Sequence, residues 1–262
     1  MMAVALTIAG SDPSGGAGMQ ADLKTFAAFG VYGASAVTAL TAQNTRGVRR
    51  VVEVAPDFVR AQLDAVLDDL DVRAAKTGML LRIAVVEVVA AVLAARPVPH
   101  LVVDPVLAAT SGETLLERGA IPTLRARLLP LATLVTPNLR EAEMLTGRPV
   151  GGPAEMRDAA RALVDVGARA ALVTGGHLPG AALDILYDGR TFREFSARRL
   201  SAPETHGTGC TLSAAIAAGL ACGEDLAAAV EAAKRFVTRG IATALPIGQG
   251  TPLMNHLGVR ET

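Results

Sequence analysis

The chain has 262 residues, 51% hydrophobic and 19% charged, with 25 basic residues balancing 25 acidic ones. That is material for one large domain or two small ones with an ample core, and it excludes general disorder, which needs low hydrophobicity and a large net charge. The zero balance argues against a nucleic-acid footprint, no window reaches the roughly 18 apolar residues of a membrane span, and the two cysteines, Cys210 and Cys222, are too few for a disulfide framework.

The start, MMAVALTIAGSDPSGG, has neither a basic n-region nor an A-x-A site, so no secretory signal is expected and a reducing cytoplasm is the default compartment. The first strand is predicted at Val4 to Ala9, followed by a helix from Ala17 to Phe29. Val31 to Ala42 reads as a single apolar run and Pro56 to Leu70 as a helix. Further strands are expected at Ala74 to Thr77, Leu101 to Asp104, Leu134 to Thr136 and Ala170 to Thr174. Helices are expected among them at Ile83 to Ala95, Ala120 to Leu129 and Ala154 to Val166. A hairpin at Leu183 to Ser196 turns at Asp188-Gly189. Two helices, Thr208 to Ala221 and Glu224 to Leu245, precede a Gly/Pro-rich tail. Continuous apolar strands alternating with helices predict a mostly parallel sheet covered on both faces. With no linker and no internal repeat, residues 1–262 read as one α/β domain.

In such sheets ligands bind beyond the carboxyl ends of the strands. The runs at those ends are GSDPSGGAG, AQNTRG, KTGM, DPVLAATSG, TPNLREAE, VTGGH and HGTGC, and they hold most of the Asn, Gln and His of the chain. This clustering points to one composite active site. His206-Gly207-Thr208-Gly209-Cys210 precedes a small-residue helix, where converging backbone N–H groups and the helix dipole suit an anion; a tightly packed turn would use the same residues. A thiol at that helix start is expected to have a pKa below the usual ~8.5, whereas Cys222 reads as a small buried filler.

The loop at Gly10 lacks the G-x-G-x-x-G spacing, and no G-x-x-x-x-G-K-[ST] occurs anywhere, which excludes a Walker A loop and disfavours a nicotinamide-dependent dehydrogenase. Asp22 stands one turn into the next helix, either aimed back at the site or solvated. Asn138 and Glu141 share a helix face and offer hard oxygen ligands to a hydrated Mg²⁺, and they equally spell a capping box. Asp104 ends a strand as a metal or phosphate-network candidate or as a turn former. Gln43 can read a heteroaromatic edge and Met79 can pack on a ring. Only three lysines (Lys24, Lys76, Lys234) occur beside twenty-two arginines, and asparagine too occurs three times; survival of a depleted type is a weak marker of a task.

Taken in order, GSDPSGGAG with Asp22, ALTAQNT, KTGM, DPV with ATSG, TPNLREAE, VTGGH and HGTGCTLSAA resemble the hydroxymethylpyrimidine/phosphomethylpyrimidine kinases, from Leu6 to His256. The resemblance implies a three-layer α/β/α ribokinase-like fold, ATP with Mg²⁺, and two successive phosphorylations of 4-amino-5-hydroxymethyl-2-methylpyrimidine in thiamine biosynthesis. It implies a pyrimidine site of Gly10, Asp22, Gln43 and Met79, and an anion hole of Gly207, Thr208, Gly209 and Cys210, with Cys210 as base. Asn138, Glu141 and Asp104 would organise Mg²⁺ and the triphosphate, with Thr174, Gly176 and Lys234 near the nucleotide. It further implies a cytoplasmic homodimer, and leaves pyridoxal as the alternative substrate. Thr174 stands where some members carry Lys, and the tail ALPIGQGTPLMNH departs from the family pattern, so no catalytic role is assigned to His256.

Overall fold

The computed structural model describes residues 2–107, 116–117, 119–176, 178, 180–200 and 205–257. The strands are β1 (Val4–Ala9), β2 (Tyr32–Val37), β3 (Ala39–Asn44), β4 (Gly47–Glu53), β5 (Val72–Thr77), β6 (His100–Val103), β7 (Leu134–Val135), β8 (Ala171–Gly175), β9 (Ala182–Tyr187) and β10 (Phe192–Ala197). The helices are α1 (Gly18–Ala28), α2 (Pro56–Asp69), α3 (Ile83–Ala95), α4 (Ala120–Thr123), α5 (Leu139–Thr146), α6 (Pro153–Asp165), α7 (Thr208–Ala221) and α8 (Leu226–Ala242).

One sheet holds eight strands in the order β10-β9-β8-β7-β6-β5-β1-β2. The pairings from β2 across to β8 are parallel, and β8–β9 and β9–β10 are antiparallel. Side chains alternate across a strand, and here both faces are apolar. Leu6, Ile8, Leu101, Val103 and Val173 join the core under α2 to α6, while Ala5, Val102, Leu134 and Leu172 join the core under α1, α7 and α8. The expected three-layer α/β/α fold, mostly parallel with helices on both faces, is therefore the fold of the protein. Each buried Leu or Ile contributes about 1.5–3 kcal/mol on leaving water, which offsets a backbone ordering cost of about 1–2 kcal/mol per residue.

Two expected elements differ. The run from Val31 to Ala42 is broken at Thr38, whose hydroxyl donates to the Met79 carbonyl at 2.5 Å. Beyond it β3 leaves the main sheet and pairs antiparallel with β4 as a separate flap. The helix expected at Ala120 to Leu129 is α4 followed by a wide turn at Leu124–Leu128 and a tight one at Leu129–Leu131; Pro130 has no N–H to extend a regular ladder. No helix among the described residues is long and apolar enough to cross a membrane.

Candidate active site

A cavity of about 980 Å³ opens over the carboxyl ends of β1, β5, β6 and β7, bounded by the flap and the start of α7. At one end lie Gly10, Gln43 and Met79. Gly207, Thr208, Gly209 and Cys210 line its middle. Asp104, Asn138, Glu141, Thr174, Gly176 and Lys234 line the rest. Of the residues singled out above for this site, Asp22 alone is off the wall. The expected segment 109–112 and residue 177 lie outside the described residues.

At the first end, a Cβ on Gly10 would stand 2.3 Å from Met79 Cε, so the glycine lets the methionine lie across the end of β1. The Gln43 amide nitrogen is 3.1 Å from His206 Nε2, and its oxygen is 3.3 Å from Thr41 Oγ1. Each end of that amide keeps one more donor or acceptor for a heterocycle. His206 Nε2 also lies 2.9 Å from Asp12 Oδ2. Asp12 knits the glycine loop, accepting from Ser14 N (2.9 Å), Ser14 Oγ (2.7 Å) and Ala17 N (2.9 Å). Burial pushes the Asp12 pKa up, but the bonds to His206 and Ser14 outweigh it and hold the carboxyl below its usual range.

Under the middle is a buried charge cluster. Lys76 is 0% exposed; its Nζ is 3.0 Å from both Asp22 oxygens and 3.8 Å from Asp104 Oδ2. Asp22 Oδ2 also accepts from Thr7 Oγ1 at 2.6 Å. Burial alone would push the Lys76 pKa down; the carboxylates of Asp22 and Asp104 outweigh it and raise it, so the ammonium is retained. Asp22, expected at the ligand, is buried behind the cavity wall. Both of its oxygens are occupied, by Lys76 and Thr7, and Lys76 in turn lines the cavity.

Cys210 is the third residue of α7, and its thiol pKa is not lowered. Burial pushes it up to about 12; Lys76 pulls down, while Asp104 and Asp22 add to the rise. A helix end contributes at most about 2 kcal/mol, less than this desolvation with two carboxylates nearby. The resting residue is a neutral thiol, not the expected thiolate. Cys222 is exposed at the end of α7 rather than buried, because the chain turns there at Gly223 (φ +88°).

α7 itself begins without a side-chain cap: Gly207 stands at the cap position with φ +89°. The first N–H groups of an α-helix have no partner within the helix, and these open on the cavity. By contrast α5 is capped from both sides. Asn138 Oδ1 accepts from Glu141 N, and Glu141 Oε2 accepts from Asn138 N, each at 3.0 Å. The second Glu141 oxygen takes the Leu107 N–H at 3.3 Å. The capping box is thus formed, and its carboxylate still lines the cavity. Burial, then the Asp104 charge, raises the Glu141 pKa to about 7. Asp104 Oδ2 accepts from Ser213 Oγ at 2.9 Å. Lys234 Nζ is 2.6 Å from Asp184 Oδ2, and Asp184 Oδ1 accepts from Gly175 N at 3.2 Å.

Asp12, Lys76, Asp184 and His206 also line the cavity, and the sequence gives none of them a stated role, although His206 opens the HGTGC motif and Lys76 is one of three lysines. Lysine scarcity was the available signal for Lys76. Asp12 and His206 are 194 positions apart, and no local spacing joins them.

The family model for phosphomethylpyrimidine kinase matches residues 12–255. The chain is 54% identical over 260 residues to a hydroxymethylpyrimidine/phosphomethylpyrimidine kinase of Rhizobium meliloti (strain 1021), covering 98% of this chain and 97% of that protein. Among solved structures, the ADP complex of Bacillus subtilis pyridoxal kinase is similar at a TM-score of 0.90 and 39% identity, covering 98% of each chain. A phosphomethylpyrimidine kinase from Clostridium difficile 630 is similar at 0.81 and 40%, covering 90% of this chain and 98% of that one. A ribokinase-like sheet and a cavity lined by Gly10, Gln43 and Met79, by an uncapped helix start and by buried carboxylates agree with these likenesses: the chain belongs to the phosphomethylpyrimidine kinase family of phosphotransferases.

Proposed function

We propose that the protein transfers the γ-phosphoryl group of ATP to 4-amino-5-hydroxymethyl-2-methylpyrimidine and then to the resulting monophosphate, supplying the pyrimidine diphosphate for thiamine biosynthesis. The observation that carries the reading is the uncapped start of α7 between Gly10, Gln43 and Met79 on one side and Asp104, Glu141 and Lys234 on the other. Met79 and Gly10 would seat the flat ring, and Gln43 would pair with its edge. An unpaired partner there costs about 1–3 kcal/mol, roughly ten- to a hundredfold in affinity, and this favours the pyrimidine over pyridoxal. The N–H groups of Gly207 to Cys210 would take the charge of the transferred group.

The residues present fit Mg²⁺. In one buried wall the Asp104 charge adds to burial in raising the cost of ionising Glu141, and a divalent cation would relieve that repulsion. Among the described residues no cluster of three His, Cys, Asp or Glu side chains could hold a metal. That suits an ion bound by one or two carboxylates, with waters and substrate phosphates completing its shell. Glu141 and Asp104 would hold it, with Asn138 fixing Glu141 through the capping box, and when bound it would neutralise phosphate charge. In the second phosphorylation the nucleophile is a phosphate oxygen, already largely dianionic at pH 7 because its second pKa is about 6, so no base is needed. In the first, the hydroxymethyl proton would pass to an oxygen of the transferred phosphoryl group as the new P–O bond forms and the bond to ADP breaks, and the neutral Cys210 thiol would stand beside the hydroxyl rather than accept that proton.

The test is kcat/KM for the pyrimidine alcohol, its monophosphate and pyridoxal, with ATP. Both pyrimidines are expected to be phosphorylated, and pyridoxal at least about tenfold less efficiently. A preference for pyridoxal overturns the reading. Cys210→Ala should lower both pyrimidine steps by similar factors, whereas a loss confined to the alcohol would return Cys210 to the role of base.

The same reading places the enzyme in the cytoplasm, where ATP is available, as a homodimer. Leu40 and Val52, cross-strand partners on the flap, are 51% and 47% exposed, and Phe58 nearby in sequence is 61% exposed. Light scattering should give twice the 26.8 kDa chain mass, and a monomer at micromolar concentration sinks this part.

A further inference from the structure

The C-terminal tail is built into the site. Leu245 and Leu253 bridge antiparallel, with bonds of 2.8 and 3.1 Å, and close the segment between them into a loop. The loop docks on the flap, where Thr251 N donates to the Thr45 carbonyl at 2.8 Å and Gly250 N to Thr45 Oγ1 at 3.1 Å. It also runs beside the α7 entry, where His206 N donates to the Pro252 carbonyl at 3.0 Å. Met254 packs against Gly240 of α8, so closely that a Cβ there would stand 2.4 Å from Met254 Cε.

These anchors deliver His256 to a buried position, 4% exposed, with Nε2 2.9 Å from Thr211 Oγ1. Thr211 is 0% exposed, and its Oγ1 is 2.9 Å from the Gly207 carbonyl. Thr211 Oγ1 thus lies 2.9 Å from both the Gly207 carbonyl and His256 Nε2 and joins the two, while the Met254 carbonyl holds a ring N–H of His256. Burial, with the Lys24 charge, lowers the imidazole pKa to about 4, in keeping with a neutral ring.

The Gly207 carbonyl accepts from Thr211 N at 3.0 Å, so the residue that His256 touches holds it. A peptide unit is planar and trans. Fixing the Gly207 C=O along α7 therefore fixes the Thr208 N–H in the opposite direction, into the cavity. We propose that His256 is a positioning residue for phosphoryl transfer, holding the Gly207–Thr208 peptide through Thr211 so that its N–H meets the transferred group. The inference rests on the phosphotransferase reading, and wild-type turnover in the same assay tests that reading separately.

The experiment compares His256→Ala, His256→Gln, Thr211→Val and Thr211→Ser in the full chain, with melting temperatures alongside. Losing an oxyanion donor outright costs about 10²–10³ in kcat. Loosening one should cost roughly tenfold in His256→Ala and Thr211→Val, with KM for ATP and pyrimidine changed less than about threefold. Gln can place an amide oxygen or nitrogen where Nε2 stands, and Ser keeps the hydroxyl, so each should recover most of the lost turnover. The double variant His256→Ala/Thr211→Val should be no slower than the worse single variant, because one path carries both effects. Folded variants with unchanged kcat, losses confined to KM or melting temperature, or a double loss equal to the product of the single losses would each overturn the proposal. Should His256→Ala fail to fold, Thr211→Val and Thr211→Ser decide it.

Discussion

Gly207→Ala is expected to lower turnover with both pyrimidine substrates by at least about 10²-fold, the scale of a lost oxyanion donor, and to destabilise the fold. A Cβ at this position would stand 1.8 Å from the Gly16 carbonyl oxygen, on a backbone with φ +89°. The left-handed conformation alone costs an L-residue about 1–2 kcal/mol. The clash must in addition push the glycine loop away from the start of α7, and with it the two walls that meet around the ligand. Gly209, two residues on, is the control. A Cβ there meets nothing within 4 Å, and Ala gains up to about 1 kcal/mol over Gly inside a helix. Gly209→Ala should keep or raise the melting temperature. If Gly207→Ala melts like Gly209→Ala and turns over like the wild type, the meeting of the two loops is not what shapes the anion hole.

Glu141→Gln should lower turnover for both phosphorylations by about 10²-fold, since the charge stabilisation given by a metal ion is worth several kcal/mol, and should raise the Mg²⁺ concentration needed. Its effect on stability has the opposite sign at high pH. The folded carboxyl titrates at about 7 and the unfolded one at 4.5. The folded state therefore binds more protons between those values. The contribution of this group to stability is fully present below pH 4.5 and is lost as pH rises through 7, a change of roughly 3 kcal/mol. A neutral Gln escapes that loss, so in metal-free buffer the stability of the variant relative to wild type should improve from pH 5 to pH 8. Denaturant unfolding at the two pH values measures it. Near-wild-type turnover at low Mg²⁺ would leave Glu141 as a helix cap alone, and a flat stability difference would place its titration in the ordinary carboxylate range.

The frame of the molecule is legible where one residue pattern answers one packing demand. β1, α3 and α7 fall at the expected bounds because each is a continuous apolar run buried between layers. β4 was missed because its sequence, GVRRVVE, carries two exposed arginines and packs no face into the main core. The placement of Gly10, Gln43, Met79 and Asn138 on one cavity follows from the rule that strand ends converge. What local reading misses is chemistry set by distant partners. Cys210 reads as an activated thiol from its helix alone, yet Asp22 and Asp104 arrive from other elements and, with burial, reverse the shift. Asp22 looks free to face the site until Lys76, 54 positions away, closes on both of its oxygens.

All three lysines donate to groups around the site: Lys24 to the Gly15 carbonyl, Lys76 to Asp22 and Lys234 to Asp184. The chain carries twenty-two arginines beside these three lysines, and whether one cation can stand for the other depends on the space around it. At position 76 it is closed by shape. A Cβ on Gly78 would already stand 3.0 Å from Lys76 Nζ and 3.1 Å from Ala9 Cβ. A guanidinium is a planar fork of five donors needing acceptors spread in its plane, and this pocket offers a compact pair of carboxylates to a point charge. The buried ammonium is thus a fixed point of the site: arginine, abundant elsewhere in the chain, could not stand at position 76 without emptying the floor of the site.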